Sequence, residues 1–165
     1  MKCSDILFNS NVDDWSRDTS VLNDKIIGKK QLTFLIEDED DEIFGYYLNT
    51  EVIEKYDTQK TDSKSFLFNL QSRNNRLKQP IKFEIKDVKE GSILLCEKSY
   101  FQLINLGNIV LFKENRKNES NCEQDEYIFE YHGIEHALCG KSYKDIYKWK
   151  EEHFTPKRIL VIQME

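Results

Sequence analysis

A chain of 165 residues carrying 12% aromatic side chains, with only 2 Pro and 6 Gly, has too much to bury and too few linkers to stay disordered. It is expected to fold as one domain over residues 1–165, the size at which folding buries roughly 70% of the unfolded surface. A formal charge of -6 without a basic stripe disfavours nucleic acid, and no run reaches the roughly 18 apolar residues that would predict membrane insertion.

The opening Met-Lys-Cys-Ser-Asp has no apolar core of a secretory signal, so a cytoplasmic location is expected, with Cys3, Cys96, Cys122 and Cys139 reduced. Asp5-Ile6-Leu7-Phe8-Asn9-Ser10 reads as a first strand. Ser16 or Thr19 would cap a short helix with Val21, Leu22 and Ile26 on one face and Gly28 at its stop. Gln31–Glu37 and Ile43–Leu48 are two strands rich in aliphatic and aromatic residues. The acidic stretch Asp38–Glu42 joins them as a solvated hairpin turn. Gly45, inside the second arm, is where another backbone can come close.

Thr50–Tyr56 fits either one or two helical turns or a frayed strand, and Asp57–Lys64 reads as a polar loop. Ser65–Leu70 is a strand whose Phe66, Phe68 and Leu70 share a face. In Ile81–Lys86, Ile81, Phe83 and Ile85 alternate with three charged residues and should point inward. Ser92–Glu97, Tyr100–Leu106 and Asn108–Lys113 follow as strands at short spacing. Glu114–Asp125, apolar only at Cys122, should be a mobile surface loop, of which Asn115–Glu123 should tolerate deletion or nicking. The small basic groups Arg73, Arg76, Lys78 and Lys113, Arg116, Lys117 read as solvated turns. Tyr127–Tyr131 is a further strand, and Ser142 with Asp145 opens a helix bearing Ile146, Tyr147 and Trp149. Arg158–Met164 closes the chain as a strand covered on both faces, in the interior of its sheet.

Chemistry is harder to find. His132, His136 and Cys139 are zinc-ligand types, and His136 with Cys139 could make a thiolate–imidazole pair. Yet Gly133 and Gly140 interrupt a helix there, and the spacing matches no zinc finger or metalloprotease helix. Asp38–Glu42 lacks the alternating ligands and central Gly of a calcium loop. No nucleophile elbow, phosphate loop or dinucleotide fingerprint occurs. Cys96, inside Ile93-Leu94-Leu95-Cys96, reads as an inert core thiol.

The order of the segments resembles the TLDc domain, the module of oxidation-resistance proteins that also occurs beside TBC domains. Ile6–Ser10, the helix before Lys29–Phe34, Glu42–Tyr47, Ser65–Leu70, Leu106–Leu111 and Arg158–Met164 stand where that family has its characteristic stretches. Tyr46 replaces the second glycine of the family's Phe-Gly-Gly form, and Leu106-Gly107-Asn108 has fewer glycines than many relatives. The resemblance implies an α+β, mainly β fold: a two-layer antiparallel β-sandwich flanked by short helices. It also implies oxidative-stress protection and a protein partner, the peripheral subunits of the vacuolar proton ATPase, with no agreed catalytic residues and no cofactor. The functional expectation is a non-catalytic cytoplasmic interaction domain. The alternative is a redox-sensing or metal-binding, enzyme-like protein using Cys139, His136 and His132.

Overall fold

The computed structural model describes residues 2–54, 56–72, 78–86, 92–123, 138–139 and 151–165. The elements in chain order are β1 (Cys3–Asn9), α1 (Leu22–Ile26), β2 (Leu32–Asp38), β3 (Ile43–Leu48), β4 (Thr58–Lys60), β5 (Phe66–Gln71) and β6 (Ile81–Glu84). They continue with β7 (Ser92–Leu95), β8 (Gln102–Leu106), β9 (Ile109–Phe112), a 3-10 helix over Glu114–Glu119, β10 (Asn121–Glu123), β11 (Glu151–His153) and β12 (Pro156–Met164). Among the described residues the strands form two six-stranded sheets, ordered β1-β12-β2-β3-β5-β6 and β11-β10-β9-β8-β7-β4. Each of these pairings among the described residues is antiparallel.

One core lies between the sheets. Period-two alternation sends Leu32, Phe34 and Ile36 of β2 inward, where they meet Phe44, Tyr46 and Leu48 of β3 and Ile159 and Val161 of β12. The second sheet answers with Ile93, Leu95, Ile104, Leu106, Ile109 and Leu111. Each such side chain, fully buried, is worth about 1.5–3 kcal/mol over exposure. Phe154, just after β11, sets its ring edge-on to Phe44 at 4.9 Å between centroids and so ties the sheets together at one end. Tyr46 carries its hydroxyl into this core and donates it to Thr61 Oγ1 at 3.3 Å.

β12 does sit inside its sheet, between β1 and β2, as its aliphatic run predicts. Its coverage is one-sided, however. Ile159 and Val161 are buried, while Leu160 and Ile162 are half-buried on the outer surface. The chain ends meet beside it: Lys2 N donates to Glu165 O at 3.0 Å and Glu165 N to Lys2 O at 2.9 Å.

Several expectations are corrected. The acidic turn is solvated only at its tip, for Asp38 and Glu42 are both buried. Asp38 Oδ1 accepts from Asp40 N and Glu42 N at 2.9 and 2.8 Å, so its carboxylate closes the turn from within. The polar stretch after Asp57 contains β4, paired with β7. Glu114–Glu123 is ordered structure, since β10 bridges β9 and β11 and Ser120, Asn121 and Cys122 are buried. Lys113 is no solvated turn residue. It is 1% exposed, and its ammonium donates to the carbonyls of Glu97, Lys98 and Tyr100 at 2.9, 2.7 and 2.6 Å.

Neither Ser16 nor Thr19 caps the helix. α1 begins after Val21 with no side-chain cap, though Leu22 and Ile26 form its buried face and Gly28, at φ +76°, follows it. Val52 is buried in irregular chain, neither helix nor strand, held by Gly28 N to Val52 O and Val52 N to Lys29 O. The strand expected at Tyr127–Tyr131 and the helix expected after Ser142 lie outside the described residues.

Candidate protein-docking surface

The outer surface of the first sheet is apolar across most of its width. The strand registers place Ile6, Ile162, Thr33, Tyr47 and Phe66 in one row across five strands. A parallel row holds Leu160, Leu35, Gly45 and Phe68. Phe66, Phe68 and Leu70 thus share a face as expected, but it is the outer one; Leu67 and Asn69 take the core side of β5. The side chains pack on one another. Tyr47 and Phe66 lie 5.0 Å apart by ring centroids, Phe66 and Phe68 6.3 Å, and the Lys82 ammonium stands 4.6 Å from the Phe66 centroid. Burial, and then the Asp62 charge, push the Tyr47 phenol upward, so it stays neutral at physiological pH.

Where this surface meets β6 it forms a groove of about 360 Å³, walled by Leu35, Tyr47, Phe66, Leu70, Ile81 and Met164. Leu70 is 45% exposed there, and Ile6 at the far edge 54%. Gly45 shapes the floor. A Cβ at that position would fall inside van der Waals contact with the Phe34 carbonyl oxygen, and 2.9 Å from Phe68 Cζ. The close approach predicted at this glycine is therefore real, and it leaves room for the tip of the Phe68 ring over β3. The sequence does hold a signal for the apolar exterior: β2, β5 and β12 carry apolar residues at both parities, the mark of a strand covered on two sides.

The side chains proposed for chemistry fare differently. Cys139 is joined to Cys122 in a disulfide, so neither is the reduced thiol expected, and Cys139 cannot act as a thiolate or metal ligand in this form. His132 and His136 lie outside the described residues. Cys96 is free and buried, with its thiol pushed up to about 11 by burial, an inert core thiol as read from the sequence. Asp38 is raised to about 6, chiefly by burial. Among the described residues no group of three or more His, Cys, Asp or Glu could hold a metal ion, and no helix is long and apolar enough to cross a membrane.

The family model of the TLDc domain matches residues 1–134, most of the chain. The chain belongs to the TLDc domain family. The match takes in β1 through β10 of this TLDc domain, and so both arms of the central hairpin and most of the apolar outer face. No curated protein matches this TLDc domain by sequence.

Proposed function

We propose that this TLDc domain is a non-catalytic, cytoplasmic protein-interaction module that docks on peripheral subunits of the vacuolar proton ATPase and serves in oxidative-stress protection. One observation carries the docking role: the two apolar rows and their groove on the outer face of the first sheet. A continuous apolar surface of this kind, exposed at Ile6 and Leu70 and half-buried at Leu35, Phe66, Leu160 and Ile162, is the usual mark of a protein interface on a folded domain. Membership of the TLDc family supports the choice of partner. The test is direct binding of the purified chain to the purified peripheral sector of the pump. Wild type should be retained, and Phe66→Glu with Leu70→Glu should fold yet lose retention at least tenfold. No retention of wild type, or full retention of the double variant, would remove this reading.

The Cys122–Cys139 disulfide favours one form of the alternative, redox sensing through Cys139. On that reading a reductant changes pump binding several-fold; equal binding with and without it leaves the bond a purely structural one.

A further inference from the structure

Away from the apolar face, the loop after β1, the β7–β8 loop and the 3-10 helix converge on an open pocket of about 530 Å³. Two cations share one ring there. The guanidinium carbon of Arg17 lies 4.3 Å from the centroid of Phe101, and that of Arg116 lies 4.4 Å from it. Each guanidinium is aimed by its Nε. That of Arg17 donates to Ser99 O at 2.8 Å, and that of Arg116 to Glu119 Oε1 at 2.5 Å. A guanidinium has five N–H donors, so the Nη groups of both remain for an acceptor brought from outside. Tyr100, 57% exposed, stands next to this pair and offers an aromatic surface.

The setting is built rather than incidental. The buried ammonium of Lys113 gathers the carbonyls of Glu97, Lys98 and Tyr100 and fixes the loop that presents Phe101. Lys113 N donates to Phe101 O at 2.8 Å, Asp18 N to Lys98 O at 2.8 Å, and Ser16 Oγ to Glu114 Oε2 at 3.1 Å. The three segments are thus fastened to one another before any ligand arrives, which lowers the ordering cost of binding. Arg17, Arg116 and the buried Lys113 bring three cations together here, against the carboxylates of Asp18 and Glu119.

We propose that the Arg17–Phe101–Arg116 pocket binds an acidic peptide segment of a partner protein, each guanidinium taking a carboxylate in a fork and Tyr100 taking an intervening apolar side chain. A carboxylate is preferred to a phosphate because Glu119 lines the same pocket and Asp18 lies 3.9 Å from Arg17, and both repel a dianion more than a single charge. The site is separate from the apolar groove and does not depend on what covers it.

The experiment is fluorescence anisotropy with a labelled peptide of alternating Glu and Phe on the full chain, against a Lys-for-Glu control. Wild type should show saturable binding that weakens at least fivefold from 50 to 300 mM salt. Arg17→Gln and Arg116→Gln should each weaken it about tenfold, and together abolish it, with unchanged melting temperatures. Phe101→Leu, which keeps the bulk but not the ring, should weaken it less than either arginine change. Absence of saturable binding by wild type, or an unaffected double variant, would overturn the proposal. Competition by inorganic phosphate or a phosphoserine peptide that matches the acidic peptide would overturn the assignment to carboxylates.

Discussion

Substituting Gly45 by alanine tests the geometry of the central hairpin at a single atom. Its φ lies outside the left-handed region that favours glycine, so the constraint is one of space. One obstacle, the Phe34 carbonyl, belongs to a strand locked between β12 and β3; the other, Phe68 Cζ, ends a side chain that can turn away. Relief therefore requires parting β2 from β3. Overpacking costs about 1–3 kcal/mol, and a buried ladder bond left unpaired about 1–3 more. Gly45→Ala should then lose about 2–6 kcal/mol, read as a fall of roughly 5–25 °C in melting temperature for a domain of this size. Urea and thermal melts of wild type, Gly45→Ala, Phe68→Ala and the double variant measure it. Because Phe68→Ala removes only the yielding obstacle, the alanine cost should persist within about 1 kcal/mol in that background. A Gly45→Ala protein as stable as wild type would refute the close approach. A cost that vanishes with Phe68→Ala would show that the ring, not the strand, sets it.

Four further outcomes follow from the same structure. Burial raises Asp38 to about 6 in the folded state, so the folded protein holds this proton more tightly than the unfolded chain. Its contribution to stability is present below about pH 4 and is lost as pH rises through about 6. Asp38→Asn keeps the acceptor for Asp40 N and Glu42 N and should gain up to about 3 kcal/mol at pH 7.5, shrinking to nothing near pH 4, by melts at both. Lys113→Met strands three carbonyls and should cost about 2–5 kcal/mol in urea unfolding; an unchanged midpoint would show the ammonium idle. Removing Arg158–Glu165 takes most of β12 from between β1 and β2 and should abolish cooperative melting, checked by calorimetry. Deleting residues 115–123 removes β10 from between β9 and β11 and should lower the melting temperature clearly, where a true surface loop would leave it within a degree or two.

Local signals carried much of this architecture. The hairpin arms, β5, β6, β9 and β12 all fall where alternation or an aliphatic run places them, and Gly45 marks its close approach because only a missing side chain permits one. What escaped depends on partners, near or far in the chain, that composition does not reveal. Asp38 is acidic and buried because the turn it closes supplies two N–H donors. Lys113 is charged and buried because a loop 13 to 16 residues away supplies three carbonyls. Hydrophilic composition alone cannot distinguish such a residue from a solvated one. The same holds for Asn121–Glu123, a strand made by its neighbours on both sides rather than by its own polar residues. The docking face was half legible: the parity of Phe66, Phe68 and Leu70 is plain, but which side of β5 faces the core is decided by Leu67 meeting Phe83 across the ladder. Of the candidate chemistry, Cys139 could not be paired with Cys122 by spacing, since four cysteines admit three pairings.

The hydrogen bonds exchanged between Lys2 and Glu165 bring the start of β1 and the end of β12 to one spot. A linker of a few residues would close the backbone into a ring, and a reopened version beginning within Glu39–Asp41 would leave every ladder intact. The same adjacency means that any segment joined before Lys2 or after Glu165 leaves the domain beside Met164, on the rim of the apolar groove. A fluorophore or affinity handle placed there would report on that groove, or obstruct it, whether it is joined ahead of β1 or behind β12.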